Sequence, residues 1–196
     1  MITIGLTGSI GMGKTALAEI FATHGAAIHN ADDEVHHLIA RGAINEAFPQ
    51  DQYPQIYDGA SIDRKALGQL VFSDDLLRKK LETTLHPLVL VAQQKFIEQQ
   101  KQSGTKLVVL DVPLLFETGS DKIVDVTIVA SAPPDIQRTR VLARPNMTEE
   151  KFTAILNTQM SDPDKRERAD YVVNTGTNIE STRKEVENII KLLSQN

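Results

Sequence analysis

Eight residues near the amino terminus, Gly8-Ser9-Ile10-Gly11-Met12-Gly13-Lys14-Thr15, fit the pattern G-x-x-x-x-G-K-[ST]. Each specified position has a chemical task. Glycines let backbone N–H groups turn inward around an anion, the lysine reaches the β- and γ-phosphates of a nucleotide, and the Thr15 hydroxyl ligates Mg²⁺. Taken alone, the pattern could be a glycine turn with Lys and Thr after it by chance. Its context argues for a phosphate site: the apolar run Ile2–Leu6 precedes it, and Leu17, Ile20 and Phe21 recur behind it at helical spacing, with His24-Gly25 as a stop. A helix starting there points the positive end of its dipole at the phosphates.

Further residues could complete phosphoryl transfer. In Asn30-Ala31-Asp32, the Asp32 carboxylate can accept the proton of an attacking hydroxyl. It can equally cap the helix that follows, and Asp33 is its nearest competitor. Asp111 closes the apolar run Leu107–Leu110, a place where an acidic residue helps to hold Mg²⁺, often through water; the alternative is a cap on the turn before Pro113. On a helix, Gln137, Arg140 and Arg144 share one face at i, i+3 and i+7, while Arg138 is rotated away. Guanidinium groups there either steady charge on the γ-phosphoryl oxygens or form a solvated basic face. His86, just before Pro87, reads alone as a cap or packed side chain, and no histidine spacing repeats a zinc pattern.

These groups need a scaffold that brings them together. Short continuous apolar runs at Ile2–Leu6, Ala26–His29, Lys106–Val112, Val124–Ala130 and Tyr171–Asn174 predict strands buried on both faces of a parallel sheet. Helical patterns alternate with them at Thr15–Thr23, Ala31–Arg41, Pro133–Leu142 and Ile179–Leu193, with Ser131 and Pro133, and Asn178, as start signals. The expected fold is α/β, a parallel five-stranded sheet flanked by helices. In such a sheet the carboxyl ends of neighbouring strands converge on the ligand, which would place Asp32 near the transferred group.

Between the second and third strands lie roughly 75 residues with little strand character, far more than an ordinary connection. Helices predicted over Ser61–Val71, Ser73–Thr84 and Pro87–Gln102 make this an all-helical insertion, either a seat for a second substrate or a thickening of the fold. The polar stretch 144–169, with helical segments starting at Thr148 and at Asp162-Pro163, reads as a lid over the phosphates. The expected division is a nucleotide-binding core of residues 1–41, 105–143 and 170–196, a helical substrate domain over 42–104, and that lid.

With 196 residues the chain is long enough for one α/β domain with an insertion. Its hydrophobic content of 41% and charged content of 24% are those of an ordinary globular protein. A net charge of −5 argues against nucleic-acid binding, which needs surplus Lys and Arg. No apolar run approaches a membrane span and no secretory leader is visible, so a cytoplasmic protein without membrane attachment is expected. The absence of cysteine excludes disulfides, Cys-ligated zinc and thiol catalysis. A monomer is the expectation, although no residue pattern sets the oligomeric state.

The motifs that mark guanine-specific GTPases are missing: Asp111 is followed by Val112-Pro113-Leu114, and Asn174-Thr175-Gly176-Thr177 offers neither Lys nor Asp. What fits is a small-molecule kinase, and over nearly its whole length the chain resembles the dephospho-CoA kinase family. The resemblance is carried by Gly5 to Thr15, by Asn30-Ala31-Asp32 where the family has D-A-D, and by Arg78, Leu81-Glu82 and His86-Pro87. Val112-Pro113-Leu114-Leu115-Phe116-Glu117, Gln137-x-x-Arg140-x-x-x-Arg144, Gln159-Met160, Lys165, Ala169-Asp170 and Asn174-x-Gly176 continue it.

The resemblance implies phosphorylation by ATP, with Mg²⁺, of the ribose 3′-hydroxyl of dephospho-CoA. It implies Asp32 as general base, and Lys14 with the backbone of Gly11, Met12, Gly13, Thr15 and Ala16 around the phosphates. Arg140 and Arg144 would clamp the transferring group, and Asn174 and Gly176 would lie near adenine. Arg78, His86, Pro87, Leu114 and Glu117 would serve the acceptor. Two departures from the family pattern are Asn30 for its first aspartate and Pro145-Asn146 where it often has Asp-Gly; neither removes a catalytic part.

Overall fold

The computed structural model describes residues 1–195. Strand β1 (Ile2–Thr7), helix α1 (Lys14–Thr23) and strand β2 (Ala27–Asn30) open the chain. They are followed by α2 (Ala31–Ala40), the two-residue strands β3 (Tyr57–Asp58) and β4 (Ser61–Ile62), α3 (Arg64–Ser73) and α4 (Asp75–Gln102). Then come β5 (Leu107–Asp111), β6 (Val126–Ser131), α5 (Pro134–Leu142), α6 (Glu149–Asn157), α7 (Asp162–Arg168), β7 (Tyr171–Asn174) and α8 (Ile179–Leu193). By contacts the chain forms two compact units, one made of Met1–Asn30 with the chain from Phe96 onward, the other of Ala31–Lys95.

In the first unit five parallel strands lie in the order β2-β5-β1-β6-β7. The register sets Leu6 opposite Asp111, Asn30 opposite Asp111, and Ser131 opposite Asn174, so the carboxyl ends of all five strands share one edge. The sheet has to be apolar because it is covered on both faces. Ile4, Leu6, Val108, Val109, Leu110, Ile128, Val129 and Val173 are fully buried. Leu17 and Phe21 of α1 are also fully buried, each worth about 1.5–3 kcal/mol of burial. Helix α8 presents Thr182, Val186, Ile189 and Leu193 at steps of four, three and four, one stripe that packs by α1. Among the described residues no helix is long and apolar enough to cross a membrane.

The second unit has its own core of Ile39, Ile44, Phe48, Ile56, Leu67 and Leu85, against which Val35 and Leu38 of α2 also pack. By contacts α2 therefore goes with the helical block. Two expectations are corrected here. The helix read over Ser61–Val71 begins only at Arg64, because Asp63 caps it by accepting from the backbone N–H of Lys65 and Ala66, and Ser61–Ile62 pair instead with Tyr57–Asp58.

The segments read as two helices, Ser73–Thr84 and Pro87–Gln102, are the single helix α4, started by Asp74 accepting from Leu76 and Leu77 N–H. Pro87 removes one hydrogen bond, to the carbonyl of Thr83, but both residues are exposed and water can serve that carbonyl. A third correction concerns α5. It starts on Pro133 and Pro134 without a side-chain cap, and Ser131 ends β6 with its hydroxyl donated to Asp162 Oδ2 at 2.8 Å.

Candidate active site

The glycine turn leaves β1 at the shared edge of the sheet and runs into α1. Gly13 occupies the N-cap of that helix with φ +81°, and Gly11 has φ +79°. Such backbone is costly for any residue with a Cβ. At Gly11 there is also no room: a Cβ would stand 2.4 Å from Val141 Cγ2. Gly13, which the motif specifies, and Gly11, which stands at one of its free positions, are thus both needed for the shape of the loop, and the first N–H groups of α1, at the end of the loop, have no partner within the helix.

Lys14 and Asp111 meet at that mouth, with Lys14 Nζ hydrogen-bonded to Asp111 Oδ1. The Asp111 side chain is 3% exposed, and its other oxygen accepts from Asn30 Nδ2 at 3.1 Å. The departure from D-A-D has a local logic. An amide at position 30 donates to the Asp111 carboxylate, whereas a second carboxylate would oppose it.

The loop is also held from behind by three side chains remote in sequence. Gln137 Nε2 donates to the Ile10 carbonyl at 2.7 Å, and Ile10 N–H donates to Gln159 Oε1 at 3.0 Å. Thr175 Oγ1 donates to the Met12 carbonyl at 2.6 Å and lies 3.2 Å from the Ser131 carbonyl. Arg140, read as a phosphate clamp, donates to the Thr175 carbonyl at 2.7 Å, which sets its guanidinium beside the loop. Arg144 is exposed just beyond α5, and Arg138 is paired with Glu149. Asn174 Oδ1 accepts from Gly176 N–H at 2.9 Å. A cleft of about 1000 Å³ adjoins these groups, lined by Ser9, Met12, Gln137, Gln159, Asp162 and Asn174 among others.

Glu117, expected to serve the acceptor, accepts from Met160 N–H at 2.7 Å and pairs with Lys165 at 3.1 Å. Lys165 is fully buried and also donates to the Pro113 carbonyl at 2.8 Å. Burial holds its pKa below the usual lysine value of 10.5, partly offset by Glu117 and Asp162. Lys165, Gln137 and Gln159 were legible in the sequence only as members of motifs, and Thr175, at the unspecified position of Asn174-x-Gly176, was missed; their partners lie far along the chain, and no local signal names them.

A lysine that releases its proton more readily folded than unfolded penalises the native state at low pH, and the penalty lifts as pH rises from its lowered pKa towards 10.5. Wild type is therefore expected to gain stability relative to Lys165→Met across that alkaline window. Urea titrations of both proteins at several pH values check this, and a pH-independent difference would overturn it.

In the second unit, Arg78 pairs with Asp75 at 2.9 Å and lies 3.9 Å from Glu82, while His86 and Pro87 are exposed on α4. Asp32 lies in the first turn of α2 with Asp33 and Glu34.

The profile of the dephospho-CoA kinase family matches residues 2–181. A dephospho-CoA kinase of Mesorhizobium japonicum is 45% identical over 193 residues, covering 97% of this chain and 95% of its own. Among solved structures, TT1252 from Thermus thermophilus superposes with a TM-score of 0.80 at 31% identity, over 98% of this chain and 97% of that one. The dephospho-CoA kinase from Campylobacter jejuni shares the fold, with a TM-score of 0.73 at 24% identity and the same coverage. With the glycine turn, its lysine and its acidic partner built at the carboxyl edge of a parallel sheet, and with a match along almost its full length, the chain belongs to the dephospho-CoA kinase family.

Proposed function

We propose that this protein transfers the γ-phosphoryl group of ATP to the ribose 3′-hydroxyl of dephospho-CoA, giving coenzyme A and ADP, the last step of coenzyme A synthesis. The observation that carries the reading is the glycine turn shaped for an anion, with Lys14 and Asp111 at its mouth, in a chain of this family. The N–H groups of Gly11, Gly13, Lys14, Thr15 and Ala16 hold the phosphates, while that of Met12 donates to the Ser9 carbonyl at 3.1 Å and closes the turn around them, and Lys14 moves its ammonium from Asp111 to the β- and γ-oxygens. Asn174 and Gly176 lie along adenine.

Mg²⁺ favours oxygen ligands, keeps several waters, and is bound by one or two protein groups together with phosphate oxygens. The Thr15 hydroxyl and the Asp111 carboxylate are such a pair. No cluster of three His or acidic side chains among the described residues forms an all-protein cage. When bound, the cation neutralises charge on the β- and γ-oxygens.

Asp32, two residues beyond the end of β2, takes the proton of the 3′-hydroxyl as its oxygen bonds to the γ-phosphorus. The bond from that phosphorus to the β–γ bridging oxygen breaks in line, and ADP leaves with the electron pair. Arg140 and Arg144 steady the charge on the transferring group, and stretch 144–169 acts as a lid. The second unit, with Arg78, His86 and Pro87, receives the acceptor together with Leu114 and Glu117. ATP as phosphoryl donor supports a cytoplasmic location.

The test is the initial rate with ATP and Mg²⁺ on dephospho-CoA against AMP and shikimate as alternative acceptors. A preference of at least two orders of magnitude for dephospho-CoA in kcat/KM is expected; comparable or faster transfer to either alternative would replace this reading with that of another small-molecule kinase.

A further inference from the structure

We propose that Gln137 and Thr175 are positioning residues that aim the Gly11 and Gly13 N–H groups at the nucleotide phosphates by gripping the opposite ends of their peptide planes. A trans peptide is planar, so its C=O and N–H point in opposite directions and turn together. The Ile10 carbonyl and the Gly11 N–H belong to one such plane, and the Met12 carbonyl and the Gly13 N–H to another. Gln137 Nε2 holds the first carbonyl at 2.7 Å, and Thr175 Oγ1 holds the second at 2.6 Å. Both N–H groups are thereby directed away from α5 and from the turn after β7.

The need for such grips follows from the residues being held. Glycine rotates freely through positive φ, the property that lets the loop curl and also the one that lets its peptides flip. With no Cβ at Gly11 or Gly13, the restraint has to come from the neighbouring carbonyls. Both gripping side chains are themselves fixed. Gln137 is 6% exposed, and Thr175 is 6% exposed with its own carbonyl held by Arg140 and its N–H donated to the Ser131 carbonyl at 2.8 Å. Gln159, by accepting from Ile10 N–H, secures the peptide before the first gripped one. A preset pair of N–H donors binds phosphate without first paying to order the loop.

The inference rests on the proposed reading that this turn holds ATP, so its test uses ADP binding, which needs no acceptor. Thr175→Val removes the hydroxyl at nearly constant shape, and Thr175→Ser keeps it. Gln137→Glu replaces the donor with a carboxylate facing a carbonyl. Loss of either grip is expected to weaken ADP binding by calorimetry, and to raise the KM for ATP, about tenfold or more. The KM for dephospho-CoA should stay within about twofold, and Thr175→Ser should restore nucleotide affinity.

Normal ADP affinity in Thr175→Val would overturn the proposal. So would an equal defect in Thr175→Ser, which would make the contact one of packing, or parallel losses for both substrates, which would indicate general distortion. If Gln137→Glu does not fold, the two Thr175 variants decide the matter by themselves. Should ADP bind and respond as expected while dephospho-CoA is not phosphorylated, the positioning role stands and the assigned acceptor falls.

Discussion

Asp32→Asn is expected to lower kcat for phosphorylation of dephospho-CoA by about 10²–10⁴-fold while leaving ATP affinity near its wild-type value. That range corresponds to roughly 2.7–5.5 kcal/mol of barrier, the contribution of one positioned base. The substitution keeps the shape of the side chain. Asp33 and Glu34 remain in the first turn of α2 to complement its dipole, so the loss of helix stability should stay below about 1 kcal/mol. ATP affinity should hold because the phosphate-binding loop and its supports, Gln137, Gln159 and Thr175, lie wholly within the other compact unit. Asp33→Asn is the matched control and should cost only a few-fold. Single-turnover rates at saturating ATP check both; a drop below tenfold in Asp32→Asn, or a larger one in Asp33→Asn, removes Asp32 from the role of base.

The loop was legible because its requirements are local. Strand, glycines, lysine and helix follow one another within about twenty residues, and each has a residue-level reason to be there. Strand β7 and helix α8 also have the limits read from the sequence, since apolar runs and the Asn178 cap mark them plainly. Elements decided by tertiary context were read less well. Pro87 looked like a helix start because proline favours that position, yet the buried Leu85 and the partly buried Leu77 and Leu81 keep α4 continuous on the core side while Pro87 faces out. Ser131 looked like a cap and is a strand end bonded to Asp162, 31 positions away.

The same limit applies to the site. The residues that touch phosphate chemistry declare themselves by type. Those that hold them, such as Gln137 on Ile10 across 127 positions or Lys165 on Glu117 across 48, have no local pattern. The helical pattern over Ala31–Arg41 does not say which core the helix joins; the structure packs Val35, Leu38 and Ile39 of α2 with the core of the helical unit.

Lys14→Ala should act in two separable ways, on turnover and on the stability of the free protein. Removing a donor aimed at the β- and γ-phosphates is expected to cut kcat/KM by about 10²–10³-fold, the scale for losing one preorganised donor in such a site. In the absence of nucleotide the same ammonium neutralises Asp111, whose side chain is only 3% exposed, with Lys14 itself at 14%. Truncation removes the cation of this pair from a carboxylate to which the Asn30 amide also donates, and breaking a buried ion pair from one side costs about 3–5 kcal/mol.

The double variant Lys14→Ala/Asp111→Asn separates the two effects, since an amide at position 111 carries no charge to strand. Its stability in urea, measured without nucleotide, should recover most of the loss, while its kcat/KM should remain at or below that of Lys14→Ala because neither the phosphate donor nor the proposed Mg²⁺ ligand has returned. Recovery of activity in the double variant would mean that Lys14 serves only to neutralise Asp111. A stability loss that persists would mean that the lysine stem, rather than its charge, holds the loop mouth together.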